Sequence, residues 1–136
     1  MNRIFADTSY WIALLNPRDE LHTKAVRAAQ VHSENLIVTS EMVLIEFLNG
    51  FCDRGPRLRQ AATRAANILR SSPNVTVIPQ TSDQFERALH RYEERPDKDW
   101  SLTDCASFLT MEAEAIGAAL THDQHFVQAG FQALLR

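Results

Sequence analysis

Short apolar runs alternate with longer amphipathic ones along the whole chain. Arg3-Ile-Phe-Ala6, Leu36-Ile-Val-Thr39 and Val75-Thr-Val-Ile78 are compact and apolar, so each predicts a strand. Ala118-Ala-Leu-Thr121 is short for a fourth strand but keeps the rhythm, and Phe131-Gln-Ala-Leu-Leu135 predicts a fifth. Helix patterns lie between them. The first runs from Ser9 to Leu15 and is stopped by Asn16-Pro17; the second covers His22 to His32. Met42 to Phe51 follows, with Ser40 as its N-cap and Gly50 and Gly55-Pro56 closing it. Pro56 opens a helix reaching to Arg70, and Ser71-Ser72-Pro73-Asn74 is turn chemistry. Ser82 is the expected cap of a helix to Arg95, and a polar connector, Pro96 to Trp100, leads to a helix over Thr103 to Ala115 with Gly117 near its end. A brief helical stretch covers Gln124–Ala129.

Strands separated by helices require βαβ crossovers. The pattern therefore predicts an α/β fold with a mainly parallel sheet flanked by helices on both faces, as one domain over residues 1–136. Composition agrees: 45% hydrophobic and 23% charged residues exclude disorder and fibrous repeats. A formal charge of −3 argues against a basic nucleic-acid wrapper, though not against a nuclease whose acidic site lies beside a local basic patch. Cys52 and Cys105 match no zinc-binding or redox spacing and read as reduced thiols. The apolar stretch Trp11-Ile-Ala-Leu-Leu15 is too short for a secretory or membrane segment, so a cytoplasmic protein is expected.

Functional groups of such sheets gather beyond the carboxyl ends of the strands. Asp7 leaves the first strand there, Asp123 lies two residues past Thr121 at the end of the fourth, and Asp104 stands in the first turn of a helix that starts at the same edge. Glu46 interrupts the apolar run Met42-Val-Leu-Ile-Glu46-Phe-Leu48. It is either an acid held in the interior by a partner or ion, or a residue on the exposed stripe of an amphipathic helix. Four clustered carboxylates repel one another unless a cation intervenes, and Mg²⁺ or Mn²⁺ suits an all-carboxylate site better than Zn²⁺. The chemistry matched to that arrangement is phosphodiester hydrolysis.

Ile4-Phe-Ala-Asp7-Thr-Ser9, the Glu at 46, Ser101-Leu-Thr-Asp104-Cys-Ala-Ser107 and Leu120-Thr-His-Asp123 together resemble the PIN-domain family, and within it the VapC-type toxins of toxin–antitoxin pairs. The resemblance spans essentially the whole chain, with the four acids in the family's order. It implies a five-stranded sheet of order 3-2-1-4-5 and Mg²⁺- or Mn²⁺-dependent endoribonuclease activity. It also implies that Asp7 and Asp104 are the principal metal ligands and catalytic acids, with Glu46 and Asp123 completing the site. Thr8 and Thr121 match hydroxyl positions that orient a carboxylate or bind a water, and Asp99 is either a further supporting acid or a solvated loop residue. A small antitoxin whose C-terminal segment covers the acids, and a homodimer, are the partners it implies. The apolar helices Ser9–Leu15 and Met42–Phe51 are candidate surfaces.

Residues 54 to 70 carry Arg54, Arg57, Arg59, Arg64 and Arg70 and no acid. On a helix, Arg57 and Arg64 share one side, flanking a stripe of Leu58, Ala61, Ala62, Ala65, Ile68 and Leu69. They suit phosphate contacts or, equally, a solvated rim around a packed face. Trp100, in the polar connector, is a candidate for stacking an unpaired base, whereas Trp11 reads as core. His122 and His125, three apart around Asp123, invite a metal reading, but an all-acid site does not need them, and surface histidines are the expectation. Two other readings compete. An aspartate-nucleophile phosphohydrolase wants an acid at position 9, where Ser stands; a catalytically silent RNA-binding or regulatory module has no need of four acids.

Overall fold

The computed structural model describes residues 2–136. Five strands, β1 (Arg3–Ala6), β2 (Leu36–Ser40), β3 (Val75–Ile78), β4 (Ala118–Leu120) and β5 (Gln132–Ala133), form one sheet of order β3-β2-β1-β4-β5. Every neighbouring pair is parallel. Among the described residues seven helices connect them: α1 (Thr8–Leu15), α2 (His22–Val31), α3 (Glu41–Asn49), α4 (Pro56–Ser71), α5 (Ser82–Glu94), α6 (Leu102–Ala113) and α7 (Gln124–Gln128). The α/β class expected from the pattern of runs and the 3-2-1-4-5 order implied by the family resemblance are both met.

The central position of β1 follows from its composition. Ile4, Phe5 and Ala6 are all buried, and a strand covered on both faces needs side chains that are apolar on both. A second anchor is aromatic. Phe108 of α6 meets Phe126 of α7 edge-on at 5.0 Å and Trp100 at 5.1 Å, while Phe126 lies 6.5 Å from Phe5. Phe5, Phe108 and Phe126 have no exposed surface, and each contributes about 1.5–3 kcal/mol by burial. This cluster ties the two C-terminal helices to the middle of the sheet.

Helix ends show where local chemistry departs from expectation. α5 is capped by Thr81, whose Oγ1 accepts the Gln84 N–H at 3.1 Å, rather than by Ser82. α6 opens on a reciprocal capping box: Ser101 Oγ accepts the Asp104 N–H, and Asp104 Oδ2 accepts the Ser101 N–H, both at 3.0 Å. It ends at Ala113, short of the expected Ala115, and the left-handed turn that follows is at Ala115 rather than Gly117. Ala115 has φ 55°, and the N–H groups of Ala115 and Ile116 bond back to the carbonyls of Glu112 and Met111. On α4, Ala62 and Ala66 are buried, but Ile68, expected in the apolar stripe, is 62% exposed. Among the described residues no helix is long and apolar enough to cross a membrane.

Candidate active site

The sheet register brings the first and last acidic motifs together. Ala6 pairs with Leu120, so Asp7 and Thr121 leave adjacent strands at the same level, and the Asp7 N–H bonds to the Leu120 carbonyl. Thr121 then links two acids. Its hydroxyl donates to Asp7 Oδ2 at 3.0 Å, and its oxygen accepts the Asp123 N–H at 3.1 Å. With Thr121 wholly buried, this bridge is shielded from water.

Asp7 is 6% exposed. Burial pushes its carboxyl from 3.8 up to about 7, against the lowering effect of hydrogen bonds from the Thr8 backbone and the Thr121 hydroxyl. The neighbouring charges of Asp104 and Glu46 raise it further. Asp104 is also held above the usual carboxylate range, chiefly by burial and secondarily by Asp123. The Ser101 N–H and the ring of His125 act in the opposite direction. Two buried acids that resist ionisation side by side mark a site short of positive charge.

His125 is the residue that the sequence reading set aside as a surface histidine. Its Nδ1 lies 2.9 Å from Asp104 Oδ2 and 3.3 Å from Asp123 Oδ1, so it stands within the acidic site and not on the open surface. Asp123 also accepts the His125 N–H at 2.9 Å, capping α7. Adjacent Phe126, sealed in the aromatic cluster, fixes the turn that carries the ring. The dipeptide His125-Phe126 after Asp123 was the available signal: an anchor beside a histidine two residues from a proposed acid. His122 is exposed, as expected.

The remaining candidates separate. Glu46 is exposed on α3, which settles the two readings of its apolar run in favour of the exposed stripe; its charge still reaches Asp7. Asp99 is exposed in the connector, lining a groove with Leu89, Tyr92 and Leu102. Trp100 is not an open stacking platform. It is 7% exposed, donates its indole N–H to Gln128 Oε1 at 3.0 Å, and carries the Arg95 guanidinium over its ring. A polar connector hid an aromatic residue whose partner, Phe108, lies on the next helix. Arg57 and Arg64 are exposed, whereas the Arg59 guanidinium is bonded to the Cys52 carbonyl.

The site suits a divalent cation on two counts. Ligand atoms of Asp104, Asp123 and His125 lie within 4.8 Å of one another, and the buried hydroxyl of Thr8, next to Asp7, has no hydrogen-bonding partner among the described residues.

A parallel sheet with carboxylates gathered at its strand ends defines the class, an α/β domain with an acidic site at the switch between β1 and β4. The PIN domain model matches residues 4–132, and the chain belongs to the PIN-domain family. It is 32% identical over 131 residues to the 23S rRNA-specific endonuclease VapC20 of Mycobacterium tuberculosis, covering 94% of this chain and 95% of that protein. The crystal structure of VapC20, described as a sarcin-ricin loop cleaving toxin, superimposes with a TM-score of 0.82 at 33% identity over 94% and 95% of the two chains. The structure of FitAcB from Neisseria gonorrhoeae shares the fold, with a TM-score of 0.63 at 16% identity over 96% and 95%. The resemblance to VapC-type proteins read from the motifs is therefore met along nearly the whole chain.

Proposed function

We infer that this protein is a divalent-metal-dependent endoribonuclease that hydrolyses RNA phosphodiester bonds and acts as the toxin of a toxin–antitoxin pair. The observation that carries the reading is the grouping of Asp104, Asp123 and His125, tied through Thr121 to Asp7 at the end of β1, in a chain aligned over 94% of its length with an endoribonuclease. Asp7, Asp104 and Asp123 would hold the cation, Mg²⁺ or Mn²⁺, with Glu46 contributing charge from the rim. When bound there, such an ion would supply Lewis-acid chemistry, namely a lowered pKa for its water and compensation of charge on the phosphate during in-line hydrolysis.

The rest is done by the chain itself. Thr121 fixes the Asp7 carboxylate by its hydroxyl and fixes the Asp123 backbone by its oxygen, so the two acids move as one unit. The Ser101 N–H holds Asp104 Oδ2 at the start of α6, so that carboxylate is aimed before any ligand arrives. Burial of Asp7 and Asp104 excludes competing water and strengthens whatever charge they face.

The substrate we propose is a ribosomal RNA loop, by analogy with VapC20, a 23S rRNA-specific endonuclease and sarcin-ricin loop cleaving toxin. Exposed Arg57 and Arg64 on α4 are candidate phosphate contacts. For a homodimer or an antitoxin, α3 offers Ile45 and Leu48, 51% and 37% exposed, whereas α1 has its Tyr10, Trp11 and Ala13 buried in the core. The test is incubation of purified ribosomes with the metal-loaded protein, followed by mapping of RNA fragment ends. One discrete cut in the large-subunit RNA is expected; intact ribosomal RNA beside a cleaved transfer or messenger RNA would reject the substrate and keep the nuclease.

A further inference from the structure

His125 is not accounted for by an all-carboxylate site. It is carried by a short helix whose next residue, Phe126, is locked against Phe5 and Phe108, so its ring position is set by the core. The side chain is 20% exposed, and Nδ1 sits between two acids, 2.9 Å from Asp104 Oδ2 and 3.3 Å from Asp123 Oδ1. Two atoms bound side by side to a six-coordinate ion at about 2.1–2.2 Å lie roughly 3.0 Å apart. Hydrogen bonding accounts for these two spacings when no ion is bound; the same two spacings, with all three ligand atoms within 4.8 Å of one another, also suit donors to one shared ion.

We propose that His125 is a metal ligand through Nδ1, forming with Asp104 and Asp123 a mixed nitrogen–oxygen site that favours Mn²⁺ and other imidazole-accepting ions over Mg²⁺. The proposal rests on the metal-dependent reading above and changes its expected ion preference. Mg²⁺ takes hard oxygen donors and keeps its waters, whereas affinity for a site containing an imidazole rises from Mn²⁺ through the later first-row ions. With Nδ1 as donor atom, the ring proton resides on Nε2. His122 cannot substitute: it is exposed, and its carbonyl accepts the Arg136 guanidinium at 3.0 Å.

The probe is Mn²⁺ alone, added to the full, metal-stripped chain. Pulsed electron paramagnetic resonance of the wild type is expected to show coupling to a directly bound imidazole nitrogen; His122→Gln keeps that coupling and His125→Gln loses it. In parallel titrations His125→Gln is expected to lose about tenfold or more in Mn²⁺ affinity and much less in Mg²⁺ affinity. Mn²⁺ bound to the wild type with no nitrogen coupling overturns the proposal, and so does an equal loss for both ions, which would make His125 only an orienting donor to Asp104. If Mn²⁺ does not bind the wild type at all, the metal-dependent reading falls with it. Absence of nitrogen coupling in the wild type overturns the proposal even if a variant fails to fold, and coupling retained in His122→Gln leaves His125 as the histidine grouped with the acids.

Discussion

Replacing Asp7 by Asn removes the least comfortable charge in the protein. A carboxyl moved from 3.8 to about 7 by burial corresponds to about 4 kcal/mol between its protonation states. Because the folded value is the higher one, the sign is definite. Below pH 4 the group is neutral in folded and unfolded chains and costs nothing. Between pH 4 and 7 the unfolded chain releases a proton that the folded one keeps, and stability falls by about 1.4 kcal/mol per pH unit. Above pH 7 the whole penalty is present. Asn keeps the shape and an oxygen to accept the Thr121 hydroxyl, so Asp7→Asn should stabilise the metal-free protein above pH 7 by up to about 4 kcal/mol and by almost nothing at pH 4. Urea unfolding of both proteins in chelator, from pH 4 to pH 8, measures the difference. Profiles that run parallel across this range would refute the claim that burial holds Asp7 protonated.

Further predictions concern the bridge, the helix end and the basic face. Thr121→Val keeps the volume but leaves the Asp123 N–H and the Asp7 carboxylate without their shared partner. It should cost about 1–3 kcal/mol in urea unfolding and raise the Asp7 carboxyl further, and unchanged stability would contradict the bridge. Ala115→Gly relieves a left-handed backbone costing about 1–2 kcal/mol, offset by about 0.4–1 kcal/mol of added unfolded-state freedom, so the melting temperature should rise slightly. A fall would show that the strain is not there. The double variant Arg57→Ala with Arg64→Ala should bind single-stranded RNA less tightly, with a salt slope lower by roughly 1.4 and metal affinity unaltered; an unchanged slope returns both arginines to a solvated role.

The sheet and its acids were legible because strands buried on both faces leave continuous apolar runs, and polar residues at their carboxyl ends stand out. Asp7 after Ile4-Phe-Ala6 and Asp123 after Ala119-Leu120 are read directly in that way. Other features depend on contacts between distant elements. His125 lies in a five-residue helix too short to carry periodicity, and only the packing of Phe126 turns its ring toward Asp104. Trp100 looks solvated in Asp97-Lys-Asp99-Trp100-Ser101 because nothing local indicates Phe108 or Gln128. The α6 ending shows a third limit: Gly117 is the residue that propensity favours for a left-handed turn, yet hydrogen bonds to Met111 and Glu112 place that turn at Ala115.

The most direct measurement is cleavage of a labelled cellular RNA pool by chelator-treated protein, with and without restored Mg²⁺ or Mn²⁺, beside an identically purified Asp104→Asn variant. The account predicts cutting by the wild type only when a divalent ion is restored, and no cutting by the variant, whose capping bond to the Ser101 N–H an amide oxygen can still accept. Cutting by the wild type in chelator, or at an equal rate by Asp104→Asn, would contradict the carboxylate site as the seat of hydrolysis.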